Sequence, residues 1–330
     1  MKAPLVSKYF VVEGDEVRCV LCPRRCKLRE GEVGSCGVRE NRGGEVVLIT
    51  YGECTSIAVD PIEKKPLFHF YPGSVILSVG AVGCNLHCVF CQNWEISQER
   101  PPTHYCPPEQ LVARALEVPH NLGIAYTYNE PLIWFEFVLD GARLAHERGL
   151  KNVLVTNGTV NPEPLQELLP YIDAMNVDLK SIRQSFYSEM CDGFLRATQA
   201  TIQAAWGNCL VEVTNLLIPG YNDSDQDLED LTDWVAGVSP DVPLHFSRYF
   251  PAHKLRVPPT PEATLMRAME IGRRKLNYVY LGNLRTPGGE NTHCKSCHKV
   301  IVARSGYLVQ GVKVHGGRCD YCGAENYLAN

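Results

Sequence analysis

The sequence predicts an α/β protein whose core is a partial barrel of six strand–helix units, with a small metal-binding region at each end. Short, apolar, β-branched runs alternate with helical patterns between residues 75 and 283, as in βα units that build a parallel sheet. Cysteine-rich segments precede and follow this part. A chain of 330 residues suits one barrel-sized domain with small appendages.

Changes of composition divide the chain into three parts. The predicted parts are residues 1–74, 75–283 and 284–330. In the first part, Glu45–Tyr51 and Thr55–Val59 resemble a β-hairpin around Gly52. The last part opens with a linker at residues 287–289.

Six strands are predicted in the central part, and a seventh apolar run, Tyr278–Leu281, could add an edge strand. The strands are Val75–Val79, Gly123–Thr127, Asn152–Val155, Ala174–Asp178, Leu210–Leu217 and Pro243–Ser247. The helical patterns are Pro108–Glu117, Pro131–Arg148, Pro162–Leu169, Phe194–Trp206 and Asp225–Val238. We therefore expect a (β/α)6 barrel of the TIM type, open on one side.

Charge and hydropathy argue against two classes of partner. The net charge of −5 and the pI near 6.1 give no support for nucleic-acid binding. The first residues lack the apolar core of a signal peptide, and Gly, Pro or charged residues interrupt each apolar run short of a membrane span. We expect a cytoplasmic protein that does not contact membranes.

Eleven of the fifteen cysteines fall into three groups. The N-terminal cysteine group is Cys19, Cys22, Cys26 and Cys36; the cysteine loop (residues 84–91) carries Cys84, Cys88 and Cys91; the C-terminal cysteine group is Cys294, Cys297, Cys319 and Cys322. In a reducing compartment such groups are typical of metal ligands rather than disulfides.

Each group predicts a different site. Three thiolates at the offsets of the cysteine loop can bind three irons of a [4Fe–4S] cluster and leave the fourth iron open, although zinc with His87, or simple burial, is an alternative. The spacing of the N-terminal group suits zinc or an auxiliary iron–sulfur cluster, and the basic residues around it resemble a solvated surface. Two CxxC pairs separated by 21 residues predict a zinc ribbon, or a rubredoxin-like iron site, with the strand-like run Lys299–Val309 between them.

Polar or glycine-containing motifs end each predicted strand. After the cysteine loop they are 127–131, 156–158, 176–180, 214–223 and 247–249. Because the chemistry of such barrels takes place at the carboxyl ends of the strands, we expect one site there. No residue stands out as a general base, so the catalytic residues are unknown at this stage.

The cysteine loop resembles the CxxxCxΦC signature of the radical S-adenosylmethionine (radical SAM) superfamily, with Phe90 at the aromatic position. The later motifs are similar to those of its pyruvate formate-lyase activating enzyme branch. The resemblance implies a [4Fe–4S] cluster whose open iron binds SAM, reductive cleavage of SAM to a 5′-deoxyadenosyl radical, and an outside one-electron donor such as flavodoxin or ferredoxin. It also implies SAM contacts by Phe90, Asn129, Glu130, Thr156, Asn157, Asp178 and Lys180; a structural ion pair is the alternative for the last two.

Three motifs depart from the activating-enzyme pattern. Tyr128 and Asn129 replace two glycines, and Val155 replaces an aspartate of a cation site. Phe250 or Pro251 stands where those enzymes have a histidine. These departures argue against a glycyl-radical activating enzyme, and we do not expect the cation site or the histidine contact to SAM of those enzymes in this chain.

The longest resemblance is to the AmmeMemoRadiSam system radical SAM enzymes, through strings such as DPIEKKPLFHF, CNLHCVFCQNWEISQ and LLIPGYND. That family implies partners resembling the Memo and AMMECR1 proteins but no substrate. Three functions stay open: a SAM-cleaving enzyme acting on an unidentified substrate, a glycyl-radical activating enzyme, and a non-catalytic electron-transfer or scaffold protein.

Overall fold

The computed structural model describes residues 5–284, 286 and 288–330, so residue 287 of the expected linker lies outside the described residues. Short strands occupy the N-terminal part of the described chain. They are β1 (Leu5–Val6), β2 (Phe10–Glu13), β3 (Glu16–Cys19), β4 (Lys27–Leu28), β5 (Arg39–Arg42), β6 (Glu45–Leu48) and β7 (Glu53–Cys54). Two antiparallel sheets result, of order β1–β6–β5 and β2–β3–β4, while β7 pairs with β10 (His104–Tyr105).

A single eight-stranded sheet forms the centre of the part of the chain that the structure describes. Its strands are β8 (Ser56–Pro61), β9 (Val75–Gly80), β11 (Asn121–Tyr126), β12 (Lys151–Thr156), β13 (Ala174–Asp178), β14 (Leu210–Leu217), β15 (Leu244–Arg248) and β16 (Val279–Gly282). All strands of this sheet except β8 are parallel and pair in chain order. β8 pairs antiparallel with β9 at one edge, and β16 lies at the other.

Helices connect the parallel strands. They are α1 (Trp94–Gln98), α2 (Pro108–Glu117), α3 (Phe135–Glu147), α4 (Pro162–Leu168), α5 (Gln184–Phe186), α6 (Leu195–Ala205), α7 (Asp225–Val238) and α8 (Glu262–Arg273). Prolines at the first position of α2 and α4 fix the backbone where no intrahelical N–H is needed. None of the described helices has the length and apolarity that crossing a bilayer requires.

The α/β class and the parallel sheet are confirmed, and the predicted strands at Ala174–Asp178 and Leu210–Leu217 have the predicted bounds. The apolar run near residue 279 forms a seventh parallel strand at the edge of the sheet, as predicted. Helix α8, which precedes it, is not among the predicted helices; the prolines at 251, 258, 259 and 261 all lie before its first residue, Glu262. Within the described residues the sheet does not close, since β8 and β16 are unpaired to each other.

The predicted hairpin between Glu45–Tyr51 and Thr55–Val59 is wrong. β6 pairs instead with β5 across Gly43 and Gly44, whose φ angles of +64° and +81° suit a tight two-residue turn. The second run becomes β8 and pairs with β9, which starts 14 residues after β8 ends. The division of the chain at 74/75 and 283/284 stays a prediction.

A buried ion pair anchors the N-terminal region to the barrel. Arg39 is 1% exposed and donates to both carboxylate oxygens of Glu136 in α3, at 2.6 and 3.1 Å. The same guanidinium donates to the carbonyl oxygen of Ile133 and to the hydroxyl of Ser7. A bidentate, fully hydrogen-bonded arginine fixes both distance and orientation.

The C-terminal part is a set of short strands that packs against the segment between β8 and β9, where Phe70 and Ala329 form a β-bridge, and against β16, where the Tyr280 hydroxyl bonds Thr292. They are β17 (Thr292–His293), β18 (Val300–Ser305), β19 (Leu308–Val312), β20 (Val314–His315) and β21 (Arg318–Cys319). The run predicted as one strand, Lys299–Val309, turns at Gly306 and forms the β18–β19 hairpin. Arg304 of this hairpin and Glu63 are both 0% exposed and form an ion pair of 3.4 Å.

We expect Arg304→Met to loosen this attachment, because it leaves the buried Glu63 carboxylate without its cation. Arg304 also donates to Phe68 and Thr292, so several partners lose a bond. The free energy of opening of residues 292–315 should fall by about 3 kcal/mol, measured by amide hydrogen exchange. Arg318→Met, in the exposed pair with Glu325, is the control and should change exchange little; equal effects of both variants would contradict the assignment.

Candidate active site

The cysteine loop leaves the carboxyl end of β9 and is held by backbone hydrogen bonds along its length. The N–H of Gly83, just before it, donates to the carbonyl of Ile96 in α1 at 2.8 Å. His87 N–H donates to Cys191 at 2.7 Å and Val89 N–H to Met190 at 2.9 Å. Both acceptors belong to a π-helical turn, Tyr187–Cys191, a local form frequent at functional sites. The loop is therefore fixed by its surroundings.

The three thiols of the loop lie in apolar, enclosed surroundings. Burial raises the pKa of the Cys84 and Cys91 thiols, while a contact with the Cys191 thiol and then burial raise that of Cys88. The Sγ of Cys84 nevertheless accepts the N–H of Leu86 at 3.4 Å and lies 3.6 Å from the Asn157 amide nitrogen. Such a sulfur environment suits thiolates that a metal holds deprotonated.

A cavity of about 560 Å³ opens in front of these thiols. It lies at the carboxyl ends of the parallel strands, and its size is that of a typical small-ligand site. The cavity brings together every residue predicted for the cluster and for SAM, namely Cys84, Cys88, Phe90, Cys91, Asn129, Glu130, Thr156, Asn157, Asp178 and Lys180. Within the described chain, no fourth cysteine lines it.

Glu130 joins the ends of β11 and β12. It is 1% exposed, and its carboxylate accepts hydrogen bonds from the Thr156 hydroxyl at 2.6 Å and from the N–H groups of Asn157 at 2.7 Å and Leu132 at 2.9 Å. Burial raises the pKa of Glu130 to about 7, against the opposing effect of these three donors. Its carboxylate therefore orders the backbone that presents Asn157 to the cavity.

Asp178 and Lys180 form an ion pair at the end of β13. The Lys180 ammonium donates to Asp178 at 2.6 Å, and both side chains are partly exposed to the cavity. Burial opposes the charge on Lys180, but Asp178 outweighs it, and the pKa of the ammonium lies above its usual range. The pair thus offers the cavity one fixed cation and one fixed anion.

Tyr128 keeps a backbone conformation that glycine favours. Its φ is +73°, so the turn adopts the left-handed region although a tyrosine replaces the glycine of the activating enzymes. The Tyr128 hydroxyl donates to Asp60, and its ring packs on Gly80, where a Cβ would lie 2.9 Å from the ring. These contacts offset the strain of the turn.

From the sequence, Lys64, Lys65 and His69, in the segment before the first parallel strand, could approach the cluster or substrate, with solvation or simple packing as the alternative. Lys64 and Lys65 line the cavity and both donate to Asp60, at 2.7 and 2.6 Å. Tyr307, on the turn of the β18–β19 hairpin, also lines it. His69, considered with the two lysines, is instead buried and lies 2.6 Å from the Tyr280 hydroxyl.

The C-terminal cysteine group has the geometry of a site for one metal ion. Its four sulfurs all lie within 4.8 Å of one another, with Cys294–Cys322 and Cys297–Cys319 Sγ distances of 3.7 and 3.8 Å. Tetrahedral zinc with Zn–S bonds of about 2.3 Å requires sulfurs about 3.8 Å apart. The group could therefore hold a metal. The four N-terminal cysteines also line a common cavity, but their sulfurs are more widely spaced than those of the C-terminal group.

Comparisons with known proteins identify the superfamily of this chain. A sequence model of the radical SAM superfamily matches residues 79–235. The chain is 41% identical over 329 residues to an uncharacterized protein of Methanocaldococcus jannaschii, with 96% of both chains covered. It is 24% identical over 163 residues to the pyruvate formate-lyase 1-activating enzyme of Escherichia coli, covering 46% of this chain and 65% of that enzyme. The chain belongs to the radical SAM superfamily.

Solved structures support the fold. A radical SAM methyltransferase from Sphaerobacter thermophilus has a TM-score of 0.52 at 18% identity, covering 64% of this chain and 67% of that one. SuiB from Streptococcus suis, bound to S-adenosylmethionine, has a TM-score of 0.52 at 15% identity, covering 67% and 53%. Superfamily membership implies a [4Fe–4S] cluster and SAM. Three enclosed thiols on one loop, facing a polar cavity of nucleoside size, fit both groups.

We expect Glu130 to make stability depend on pH. Its pKa in the folded chain is about 7 against a reference of 4.5, so folding retains a proton that the unfolded chain loses between these values. Stability from this group is complete below pH 4.5 and is lost as pH rises to 7, at no more than about 1.4 kcal/mol per pH unit. Glu130→Gln cannot ionise and should therefore gain stability relative to the wild type over this range.

Thermal unfolding under anaerobic conditions at pH 5, 6 and 7 measures this difference. Glu117→Gln, at the exposed end of α2, is the control and should follow the wild type throughout. A difference between Glu130→Gln and wild type that stays constant with pH would contradict the assignment.

Proposed function

We propose that this protein is a radical SAM enzyme that cleaves SAM reductively and abstracts hydrogen from a substrate. When bound, the [4Fe–4S] cluster supplies the electron that cleaves SAM to methionine and a 5′-deoxyadenosyl radical. The protein positions these groups and excludes competing reactions. The observation that carries the proposal is the enclosed set of three thiols facing a cavity that, in the described chain, holds no fourth cysteine.

We assign each of the predicted cavity residues to the part of SAM that its chemistry suits. Lys180 offers a cation to the methionyl carboxylate, and Asp178 an anion within 2.6 Å of it. Thr156 and Asn157 offer neutral donors and acceptors to the ribose. Asn129 and Glu130 border the methionyl amino group, and Phe90 packs against the adenine.

Lys180→Met should weaken SAM binding by roughly 10- to 100-fold, the effect of losing a hydrogen bond to a charged group. Isothermal titration of the anaerobically reconstituted protein measures the Kd. Lys254→Met changes an exposed lysine outside the cavity and is the control. An unchanged Kd for Lys180→Met would remove this residue from the SAM site.

The test of function is formation of 5′-deoxyadenosine after anaerobic reconstitution with iron and sulfide, reduction with dithionite and addition of SAM. We expect the nucleoside from the wild type and from Cys209→Ala, whose thiol lies outside the three groups. Cys88→Ala should lose the cluster of the cysteine loop and the product. A reduced, intact cluster that yields no 5′-deoxyadenosine with any candidate substrate would favour an electron-transfer or scaffold protein.

A glycyl-radical activating enzyme is the second candidate. The similarity to the pyruvate formate-lyase 1-activating enzyme favours it, although the chain covers 65% of that relative. In this case the substrate would be the glycine of a partner protein. Incubation with a glycyl-radical enzyme should then give a protein radical by electron paramagnetic resonance, whereas hydrogen transfer from a small molecule would place the substrate elsewhere.

We further propose that the chain is an AmmeMemoRadiSam system enzyme, acts with partners resembling Memo and AMMECR1, and works in the cytoplasm. Motif strings along nearly the whole chain support this. Radical SAM enzymes generally need a one-electron donor, and we assign that role to a flavodoxin or ferredoxin. We assign zinc to the C-terminal cysteine group on its sulfur spacing, with iron as the alternative. Co-purification from cells with tagged partners tests the assembly.

A further inference from the structure

We propose that the N-terminal cysteine group holds an iron–sulfur cluster that relays electrons to the cluster of the cysteine loop. The relay rests on the proposed function, whereas the second cluster does not. The four thiols lie outside the cavity described above, and the SAM chemistry does not use them.

Local structure brings the four thiols to one cavity. Cys19 ends β3 and its N–H donates to the carbonyl of Cys26 at 2.9 Å, which places these two side by side. Arg25, with φ +48°, closes the turn between Cys22 and Cys26. Cys36 follows on the turn before β5, and all four line the same small cavity.

The spacing of the sulfurs argues against a single metal ion. Among the described residues, the C-terminal group is the one set of His, Cys, Asp and Glu ligand atoms that converges within 4.8 Å. No three N-terminal thiols converge that closely, and neither do the three thiols of the cysteine loop. In an iron–sulfur cluster each thiolate binds its own iron, so the sulfurs stand further apart than around one zinc ion.

The cavity lining favours an anionic occupant. Arg24, Arg25 and Arg39 all border it. The buried guanidinium of Arg39 is held there by its ion pair with Glu136, and Arg24 is held by Asp192 at 3.0 Å. The basic residues that resembled a solvated surface in the sequence thus partly line a site, which suits a cluster bound by four thiolates.

The N-terminal cavity and the cysteine loop are in direct contact. Asn85 lines the N-terminal cavity, and Cys84, the residue before it, lines the cavity in front of the cysteine loop. The Arg24 guanidinium donates to the Asn85 carbonyl at 3.1 Å, and the Asn157 amide nitrogen lies 3.0 Å from Asn85 Oδ1 and 3.6 Å from Cys84 Sγ.

Gly83 permits this approach. Its φ is +89°, and a Cβ there would lie 2.3 Å from the carbonyl oxygen of Cys36. The backbone of one thiol group therefore touches the loop that carries the other. A short path of this kind suits transfer of one electron: a reduced low-potential carrier protein reduces the N-terminal cluster, which is reoxidised as it reduces the cluster of the cysteine loop.

The first test replaces the three cysteines of the cysteine loop, so that this loop can no longer bind a cluster. Cys84→Ala/Cys88→Ala/Cys91→Ala, reconstituted anaerobically, should keep iron and acid-labile sulfide and show a cluster signal after dithionite reduction. Cys22→Ala in that background should lose both, while the metal of the C-terminal group stays. Cys209→Ala in the same background is the matched control and should keep the cluster.

The outcomes separate the two proposals. A triple variant that holds zinc but no iron or sulfide at the N-terminal group overturns the second cluster and leaves the proposed function intact. A wild type that forms no cluster at all overturns the proposed function. If the wild type shows a cluster signal and the triple variant shows none, the second cluster is also overturned.

The second test addresses the relay. In the otherwise wild-type chain, Cys22→Ala should greatly lower the rate at which reduced flavodoxin or ferredoxin reduces the cysteine-loop cluster. Rapid freezing at successive times and electron paramagnetic resonance measure this rate. Equal rates in the variant and the wild type, with the N-terminal cluster shown to be absent from the variant, would overturn the relay.

Discussion

The site depends on the immobilisation of the cysteine loop from several sides. Backbone N–H groups of the loop donate to the π-helical turn at Tyr187–Cys191, and its Val89 carbonyl accepts from Lys254 and Leu255. The Asn129 side chain bonds Ala81 N–H and Gly83 carbonyl, at 3.0 and 2.9 Å. Because these bonds use backbone groups, they fix the positions of the three thiols without using the side chains that bind metal. The loop is thus shaped by the end of β9, by a later helix and by the turn after β11.

Hydrogen bonds and ion pairs among the lining residues also fix the charged side chains of the cavity. Glu130 holds the ends of β11 and β12 together, and Asp178 holds the Lys180 ammonium at the end of β13. The Asp60 carboxylate accepts hydrogen bonds from Lys64, Lys65 and the Tyr128 hydroxyl. Each of these carboxylates accepts hydrogen bonds from neighbouring donors, which is the condition under which a polar group can be retained in a partly buried site.

Much of the fold could be predicted because its signals are local. β-branched runs define the parallel strands, prolines mark helix starts, and the polar motifs at strand ends meet because parallel strands point the same way. The errors concern features that local sequence does not determine. Whether Thr55–Val59 pairs with its neighbour or with β9 depends on the assembled sheet. The contribution of Tyr307 to the cavity depends on how separate regions pack, and the role of Asn85 between two thiol groups has no sequence signal.

Tyr307 gives the C-terminal part a direct connection with the cavity entrance. It stands on the turn of the β18–β19 hairpin, whose neighbouring strands carry the C-terminal cysteine group, and Arg304 locks that hairpin against the barrel. The side chain is about half exposed, so it borders the opening rather than the interior. The β18–β19 hairpin therefore links the C-terminal cysteine group to the rim of the cavity, although the two lie in different parts of the chain.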